Sequence, residues 1–289
     1  MDCYSEEALW EQINQLSMRC LPKIAKTSIC LYVWNEERLK VAGTGVLLRI
    51  ADRHFILSAA HVIDLTFYHK MLFYTSHLGE AAIPFPLLFK TRDSSARSPN
   101  LDTTDPNLRH EDPYDFSLAE LQQETVVLLR HSHQFISVHD LDPTPIPIAS
   151  GILVYGFPEL LSGNYPDSEH ETDSYPMHYI TTPLQCEPEQ RDKNKDILLY
   201  YSKNTHNYEN GQTENRIVPK GISGCGIWRV SQPPKLPSDT HPDEMRLVGI
   251  QHRWRSKSNY LVGTSVHRIL RLLWDHHPDL RGALRLILP

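Results

Sequence analysis

The pattern of hydrophobic and polar positions predicts a helix near each end of the chain and a series of short strands between them. Residues 5–20 have apolar side chains at helical spacing. These side chains are Leu9, Ile13, Leu16 and Cys20. Ser5 is placed to cap the helix, and glutamates follow it in the first turn. We therefore predict a short N-terminal helical extension over residues 1–23.

The pattern changes at residue 28, where runs rich in β-branched and aromatic residues alternate with polar turns. The predicted strands cover residues 28–34, 44–50, 54–58, 115–121, 152–157, 179–182, 197–201 and 246–251. Their short, regular spacing favours an all-β sandwich or barrel over repeated strand–helix–strand units. An apolar stripe over residues 266–274 then predicts a C-terminal helix.

Prolines and polar stretches mark the predicted domain borders. Three prolines in residues 143–147 form an extended connector. We therefore place a first β domain over residues 24–142 and a second over residues 143–289, which includes the C-terminal helix. Two polar stretches without periodicity, residues 91–113 and 163–176, are predicted as long surface loops that could gate a site.

Composition excludes several classes of function. The 289 residues carry a net charge of −6, which disfavours general binding to the phosphate backbone of nucleic acids. Residues 246–289 are basic by contrast, which fits either a solvated surface or an acidic partner. The 16 histidines and five scattered cysteines show no metal-ligand spacing and no disulfide framework, so neither a metal nor another cofactor is expected. There is no signal-peptide pattern and no apolar run of about 20 residues, so we expect a cytoplasmic protein that does not bind membranes.

Three short stretches contain residue types that together perform acyl transfer. The stretch FILSAAHV follows an apolar strand with small residues and then His61. The stretch YDFSLAEL places Asp115 at the entry of a strand. The stretch KGISGCG places Ser223 in a glycine-rich turn. Each stretch alone is only moderately specific, but their combination, order and spacing are informative.

The chemistry of acyl transfer assigns a role to each of these residues. A serine hydroxyl attacks an amide only if a base accepts its proton, and a buried carboxylate must orient that base. We therefore predict Ser223 as nucleophile, His61 as base and Asp115 as the orienting group. Backbone N–H groups must meet the developing oxyanion, and glycines allow the turn that aims them. The predicted donors are the N–H groups of Gly221 and Ser223. Activity is then expected to rise with pH through an imidazole pKa of about 6.5.

These motifs resemble those of trypsin-like serine peptidases of the chymotrypsin fold. LSAAHV is similar to the histidine motif of that family, YDFSLAEL to its aspartate strand and GISGCG to its nucleophile turn. The resemblance implies two packed six-stranded β-barrels with a cleft between them, and hydrolysis of protein or peptide substrates through an acyl-enzyme. It also implies that a substrate strand pairs with residues 251–254, with Gln251, His252 and Arg253 as substrate-binding residues.

Two departures from the family pattern affect the expected regulation and specificity. Ile222 precedes the nucleophile where members activated by cleavage have aspartate, so no zymogen switch of that kind is expected. Narrow specificity or a regulatory protein partner would then restrain the enzyme. Ile217 stands at the position where trypsin itself has the aspartate of its specificity pocket, so it is the predicted pocket residue. An apolar residue there argues against a preference for Lys or Arg. Glu209 and Glu214 lie close enough in sequence to reverse that conclusion.

Other interpretations fit the residues less well. An α/β-hydrolase needs Gly-x-Ser-x-Gly, but Cys225 occupies the last place and too little chain follows for the acid and the base. A subtilisin-like order needs a catalytic aspartate before the histidine, and Asp52 there lies in a predicted hairpin turn. A thiol nucleophile, an esterase and a catalytically inactive binding or scaffold module remain as alternatives.

Overall fold

Two six-stranded sheets form the body of the protein in the computed structural model. The structure describes residues 6–35, 38–65, 71–73, 114–164, 172–184, 196–202, 204–207, 212–231 and 239–288. The predicted all-β fold class, two packed β-barrels with a helix near each end of the chain, is confirmed.

The elements of the described residues include sixteen strands and five α-helices. The strands are β1 (Ser28–Asn35), β2 (Arg38–Ile50), β3 (Arg53–Ser58), β4 (Met71–Phe73), β5 (Ser117–Glu120), β6 (Ile136–Ser137), β7 (Gly151–Gly156), β8 (Ser162–Asn164), β9 (Thr172–Ser174), β10 (Met177–Thr181), β11 (Asp196–Tyr200), β12 (Asn204–Asn207), β13 (Gln212–Asn215), β14 (Gly226–Ser231), β15 (Arg246–Arg255) and β16 (Tyr260–Ser265). The α-helices are α1 (Glu6–Thr27), α2 (Ala60–Asp64), α3 (Gln123–Leu129), α4 (Val266–His276) and α5 (Arg281–Leu284).

The first sheet has the antiparallel order β4-β1-β2-β3-β5, and the short strand β6 pairs with β2 in parallel. The second sheet has the antiparallel order β10-β7-β14-β15-β16-β11. Residues 182–184 continue beyond β10 and pair with β11, where the N–H of Leu184 donates to the carbonyl of Leu198 at 2.9 Å. This pairing closes the second sheet into a barrel.

The N-terminal helix is longer than predicted, with 22 residues. It ends at Thr27 rather than at Cys20, because Ile24 continues the apolar stripe and is buried in the main core. The packing of these seven further residues outweighs the weak local signal that their sequence carries. The predicted cap, Ser5, lies outside the described residues.

The largest apolar cluster joins both sheets and both terminal helices. It includes Leu16 of α1, Phe55 and Phe116 of the first half, Trp228 of the second half and Leu270 of α4. The predicted C-terminal helix is confirmed, and the hydroxyl of Ser265 caps it by accepting the N–H of Arg268 at 3.3 Å. Both helices therefore stabilise the packing of the two sheets against each other.

Two predicted loops have different outcomes. Residues 91–113 lie outside the described residues. The stretch over residues 163–176 is not wholly a loop, because β8 and β9 pair as a small hairpin at its ends. Their polar side chains give no alternating hydrophobic signal from which a strand could be predicted.

Three of the five cysteines are described, and all three are free and buried: Cys20, Cys30 and Cys225. Cys3 and Cys186 lie outside the described residues. Within the part of the chain that the structure describes, no helix is long and apolar enough to cross a membrane.

Candidate active site

His61 and Asp115 are hydrogen-bonded to each other, although 54 positions separate them in the sequence. Nδ1 of His61 lies 2.8 Å from Oδ2 of Asp115. The backbone N–H of His61 donates to the other carboxylate oxygen, Oδ1, at 3.1 Å. Since an ionised carboxylate only accepts, Nδ1 carries a proton, and in the neutral ring the lone pair is therefore on Nε2. The imidazole is therefore in the tautomer that a general base needs.

The pairing of β3 with β5 brings these two residues together. Ser58, the last residue of β3, pairs with Ser117, the first residue of β5. His61 follows shortly after Ser58 in α2, and Asp115 precedes Ser117 by two positions. The carbonyl of Asp115 also accepts the N–H of Ala60 at 3.2 Å. Asp115 has a φ of +33°, an unfavourable conformation for a residue with a Cβ, and these contacts hold it there.

The carboxyl of Asp115 is ionised in this environment. Its side chain is 3% exposed, and burial, the largest single influence, acts to raise its pKa. The hydrogen bonds that the ring and the backbone N–H of His61 donate to the carboxylate act in the opposite direction and prevail, so the pKa of Asp115 lies below its usual value. A buried carboxylate that stays charged at neutral pH can stabilise an imidazolium beside it.

Ser223 lies in a tight turn between two glycines with positive φ angles. Gly221 has a φ of +98° and Gly224 a φ of +88°. The N–H of Cys225 donates to the carbonyl of Ile222 at 2.9 Å and closes the turn around Ser223. Residues with a Cβ rarely adopt such angles, so the two glycines are what permit this backbone path.

This turn packs directly against the first sheet. The N–H of Thr44 in β2 donates to the carbonyl of Ser223 at 2.8 Å. A Cβ added to Gly224 would lie 2.0 Å from Oγ of Ser58 and 2.8 Å from the nitrogen of Ala59, the two residues that precede α2. Ser223 is therefore brought against the segment that leads into His61.

The two predicted oxyanion donors are available. Among hydrogen bonds between described residues, the N–H groups of Gly221 and Ser223 have no acceptor. The N–H of Gly224, by contrast, donates to the carbonyl of Gln251 at 2.7 Å. The turn is thus anchored to β15 while the two N–H groups that flank Ile222 remain uncommitted.

The predicted substrate strand is the end of β15. Its pairing with β14 reaches Ile250 opposite Gly226, whereas its pairing with β16 continues to Arg255 opposite Tyr260. β15 therefore extends past the end of β14 on the edge next to the Ser223 turn.

The structure buries two of the three predicted substrate-binding side chains on this strand. Gln251 and His252 are buried, and Arg253 is partly exposed. The backbone of Gln251 is bonded to the nucleophile turn on both sides. The N–H and the carbonyl of Gln251 are therefore already committed to the turn, and a substrate contact at His252 would use backbone atoms and not its buried side chain.

Ile217 is partly buried and packs against the cluster that contains Tyr201 and Ile222. Its carbonyl accepts the hydroxyl of Tyr201 at 2.6 Å. The preceding residue, Arg216, has its guanidinium 5.3 Å from the ring centre of Tyr201 and 5.1 Å from that of Trp254. A fixed cation therefore lies beside the predicted pocket residue.

Sequence reasoning missed Arg216, because an isolated arginine in a polar stretch carries no motif. Glu209 lies outside the described residues, as does the side chain of Glu214, so their predicted influence on the pocket stays a prediction. Among the described residues, no three His, Cys, Asp or Glu side chains are grouped so that they could hold a metal ion.

Comparison with known proteins finds resemblance in structure without a match in sequence. No protein-family model matches the chain, and no curated protein matches it. The scabies mite inactivated protease paralogue S-I1 is similar, with a TM-score of 0.49, 14% identity, and coverage of 89% of this chain and 96% of that chain. A Glu endopeptidase gives a TM-score of 0.43 and 13% identity, with coverage of 86% and 89%. The tobacco vein mottling virus protease gives 0.42 and 8%, with coverage of 85% and 79%.

At these identities and TM-scores, the similar structures assign neither an activity nor a substrate to this chain. The observed topology defines the class of fold: two packed β-barrels, of which the second closes through β11. The Ser223 turn packs against the first sheet, beside the residues that lead into His61. The chain has the chymotrypsin-like double β-barrel fold that its motifs predicted.

Proposed function

We propose that this protein is a serine endopeptidase with Ser223 as nucleophile, His61 as general base and Asp115 as orienting carboxylate. The observation that carries the proposal is the hydrogen bond of 2.8 Å between His61 and the buried Asp115, at the place where the Ser223 turn meets the first sheet. A buried carboxylate that stays ionised beside an imidazole, held by an unfavourable backbone conformation, is typical of an active site.

The proposed reaction follows from this arrangement. Oγ of Ser223 attacks the carbonyl carbon of the peptide bond while Nε2 of His61 accepts the hydroxyl proton. The carbonyl oxygen becomes an oxyanion, which the N–H groups of Gly221 and Ser223 stabilise. His61 then gives the proton to the leaving amine, and an acyl-enzyme ester remains. Water hydrolyses the ester by the same steps, with His61 again accepting and returning a proton.

The substrate backbone is proposed to pair with the edge of β15 beyond Gln251. Adding a strand to an exposed sheet edge supplies backbone hydrogen bonds without fixing the substrate sequence. Side-chain preference then comes from the residues around Ile217, where the charge of Arg216 disfavours Lys or Arg before the cut.

Labelling by a fluorophosphonate tests the proposed nucleophile. The wild-type protein should become covalently labelled, and peptide mass spectrometry should locate the label on Ser223. The Ser223→Ala variant should not react, whereas Ser258→Ala, which alters an exposed serine in the turn after β15, should react like the wild type.

A folded wild-type protein that is neither labelled nor able to cleave any peptide of a substrate library would favour the inactive binding or scaffold module. A cleavage rate that stays constant from pH 5 to 8 would contradict His61 as the base, because an imidazole must be neutral to accept the proton.

A further inference from the structure

His252 lies behind the candidate catalytic carboxylate and not in the substrate cleft. Its side chain is 2% exposed, and its Nδ1 is 3.6 Å from Oδ2 of Asp115. The same oxygen accepts the hydrogen bond of His61 at 2.8 Å. One carboxylate oxygen therefore has imidazole nitrogens from two different histidines as neighbours.

A β-bulge explains why the side chain of His252 points inward. In the pairing of β15 with β16, Gln251 is opposite Gly263 and Arg253 is opposite Val262, so His252 is an extra residue on β15. A bulge bends the strand and redirects the side chain of the extra residue. Without it, His252 would occupy an ordinary ladder position, with its side chain set by the alternation of the strand.

The distance of 3.6 Å between Nδ1 of His252 and Oδ2 of Asp115 is longer than a hydrogen bond. In the free protein, His252 therefore contacts Asp115 but does not donate a hydrogen bond to Oδ2. Catalytic hydrogen bonds are often long in free enzymes and shorten when the transition state develops charge. When His61 becomes an imidazolium, its charge attracts Oδ2 more strongly. A small shift of the carboxylate would then change the orientation of the His61 ring. A second N–H directed at the same oxygen opposes that shift.

We propose that His252 is a positioning residue, whose neutral imidazole holds Asp115 in place through Nδ1–H during proton transfer. This inference rests on the proposed endopeptidase function. The neutral form is required, because a second cation beside Asp115 would repel the imidazolium of His61. The complete burial of the ring favours that neutral form, since burial disfavours charge.

Two substitutions of nearly equal shape test the proposal. His252→Asn keeps an N–H donor on a short side chain, and His252→Leu replaces it with a methyl group. We expect kcat to fall about 10²-fold in H252L and by less than about tenfold in H252N, with KM unchanged in both. His54→Asn is the control for the loss of a buried imidazole, because His54 lies at the far end of β3 and contacts Arg130.

The outcomes separate this proposal from the proposed function. If the wild type is neither labelled by fluorophosphonate nor active, the proposed endopeptidase function is wrong. If the wild type is active and H252L keeps kcat within twofold, or if H252N and H252L lose it equally, the positioning role is wrong. A rise in KM with constant kcat would instead identify His252 as a substrate contact.

A measurement on the wild-type protein keeps the proposal testable if the variants do not fold. NMR of ¹⁵N-histidine-labelled protein at neutral pH reports which ring nitrogen carries the proton. We expect His252 to be neutral and protonated at Nδ1. A charged ring, or a ring with its proton on Nε2, would overturn the proposal.

Discussion

The N–H of Thr44, in the first sheet, donates at 2.8 Å to the carbonyl of Ser223, in the turn that precedes β14 of the second sheet. The hydroxyl of Thr44 also accepts the N–H of Phe157 at 3.0 Å. One residue of β2 thus bonds both the nucleophile turn and the segment after β7. The proposed chemistry needs groups from both halves at one point, and Thr44 joins the backbone of the two halves beside the nucleophile turn.

Gly224 makes this junction possible, so Gly224→Ala should disrupt it. The new Cβ would lie 2.0 Å from Oγ of Ser58 and 2.2 Å from the carbonyl oxygen of Thr44, at a φ of +88°. We expect a loss of about 3 kcal/mol in the free energy of unfolding, from overpacking and backbone strain together. Denaturant unfolding measures this loss, and fluorophosphonate labelling should fall with it.

Gly282→Ala is the matched control, because a Cβ there would have no atom within 4 Å. This change lies in α5, where alanine favours the helix by up to about 1 kcal/mol over glycine. A Gly224→Ala protein as stable and as reactive as Gly282→Ala would show that the turn is not packed against β3.

Cys225 should be inert, although it lies two residues from Ser223. The thiol is fully buried, and burial raises its pKa far above the ordinary value, so the reactive thiolate does not form at neutral pH. Iodoacetamide should leave Cys225 unmodified in the native protein, and Cys225→Ala should keep fluorophosphonate labelling. Inactivation that coincides with alkylation of Cys225, located by peptide mapping, would support the thiol nucleophile instead.

Arg216 should set part of the side-chain preference. Its guanidinium is held by the rings of Tyr201 and Trp254 beside Ile217, so it should repel a basic residue before the cut. We expect Arg216→Gln to raise kcat/KM for peptides with Lys or Arg there by about tenfold relative to the wild type, a change of about 1.4 kcal/mol. Competing peptide pairs that differ only in that residue measure the preference.

The control for Arg216 is Lys257→Gln, which removes an exposed charge in the turn after β15. It should leave the preference unchanged, because exposed charges at a distance are screened by salt. An equal shift in both variants would mean that the overall charge of the barrel, and not Arg216, decides which residues are accepted.

Asp140 should make the stability of the protein depend on pH. Burial, the largest influence on this carboxyl, acts to raise its pKa. The N–H and hydroxyl of Ser137 at 2.9 Å and the charge of Lys23 at 3.2 Å outweigh it, and the pKa lies below the usual value. A lowered pKa means that the folded state binds the proton more weakly than the unfolded state. The stabilisation is therefore complete above about pH 4 and is lost as the pH falls through the lowered value.

We expect Asp140→Asn to reduce the free energy of unfolding by about 1–2 kcal/mol at pH 7 and by less below pH 4. Urea unfolding at a series of pH values measures the difference. Asp275→Asn, at an exposed pair with Arg271 in α4, should change stability by less than about 0.5 kcal/mol at any pH. A constant difference between Asp140→Asn and wild type across this pH range would contradict the role of the carboxylate charge.

Local patterns in the sequence were sufficient to predict the strands whose residues alternate between apolar and polar or are continuously apolar. They were also sufficient to predict α4 from its apolar stripe. The order His61, Asp115, Ser223 and the glycines around the serine also pointed to the chemistry, because tight turns and strand ends leave short, recognisable signatures. Such signals were lacking for the paired strands β12 and β13, whose sequence is polar and shows no hydrophobic alternation.

Tertiary structure decided what depends on contacts between distant segments. The length of α1 follows from the burial of Ile24 in a core shared by both sheets, which no local window of sequence contains. The place of His252 follows from a bulge, because one extra residue in a ladder reverses which face of the strand a side chain takes. Only the folded chain could therefore move His252 from the predicted substrate edge to the back of Asp115.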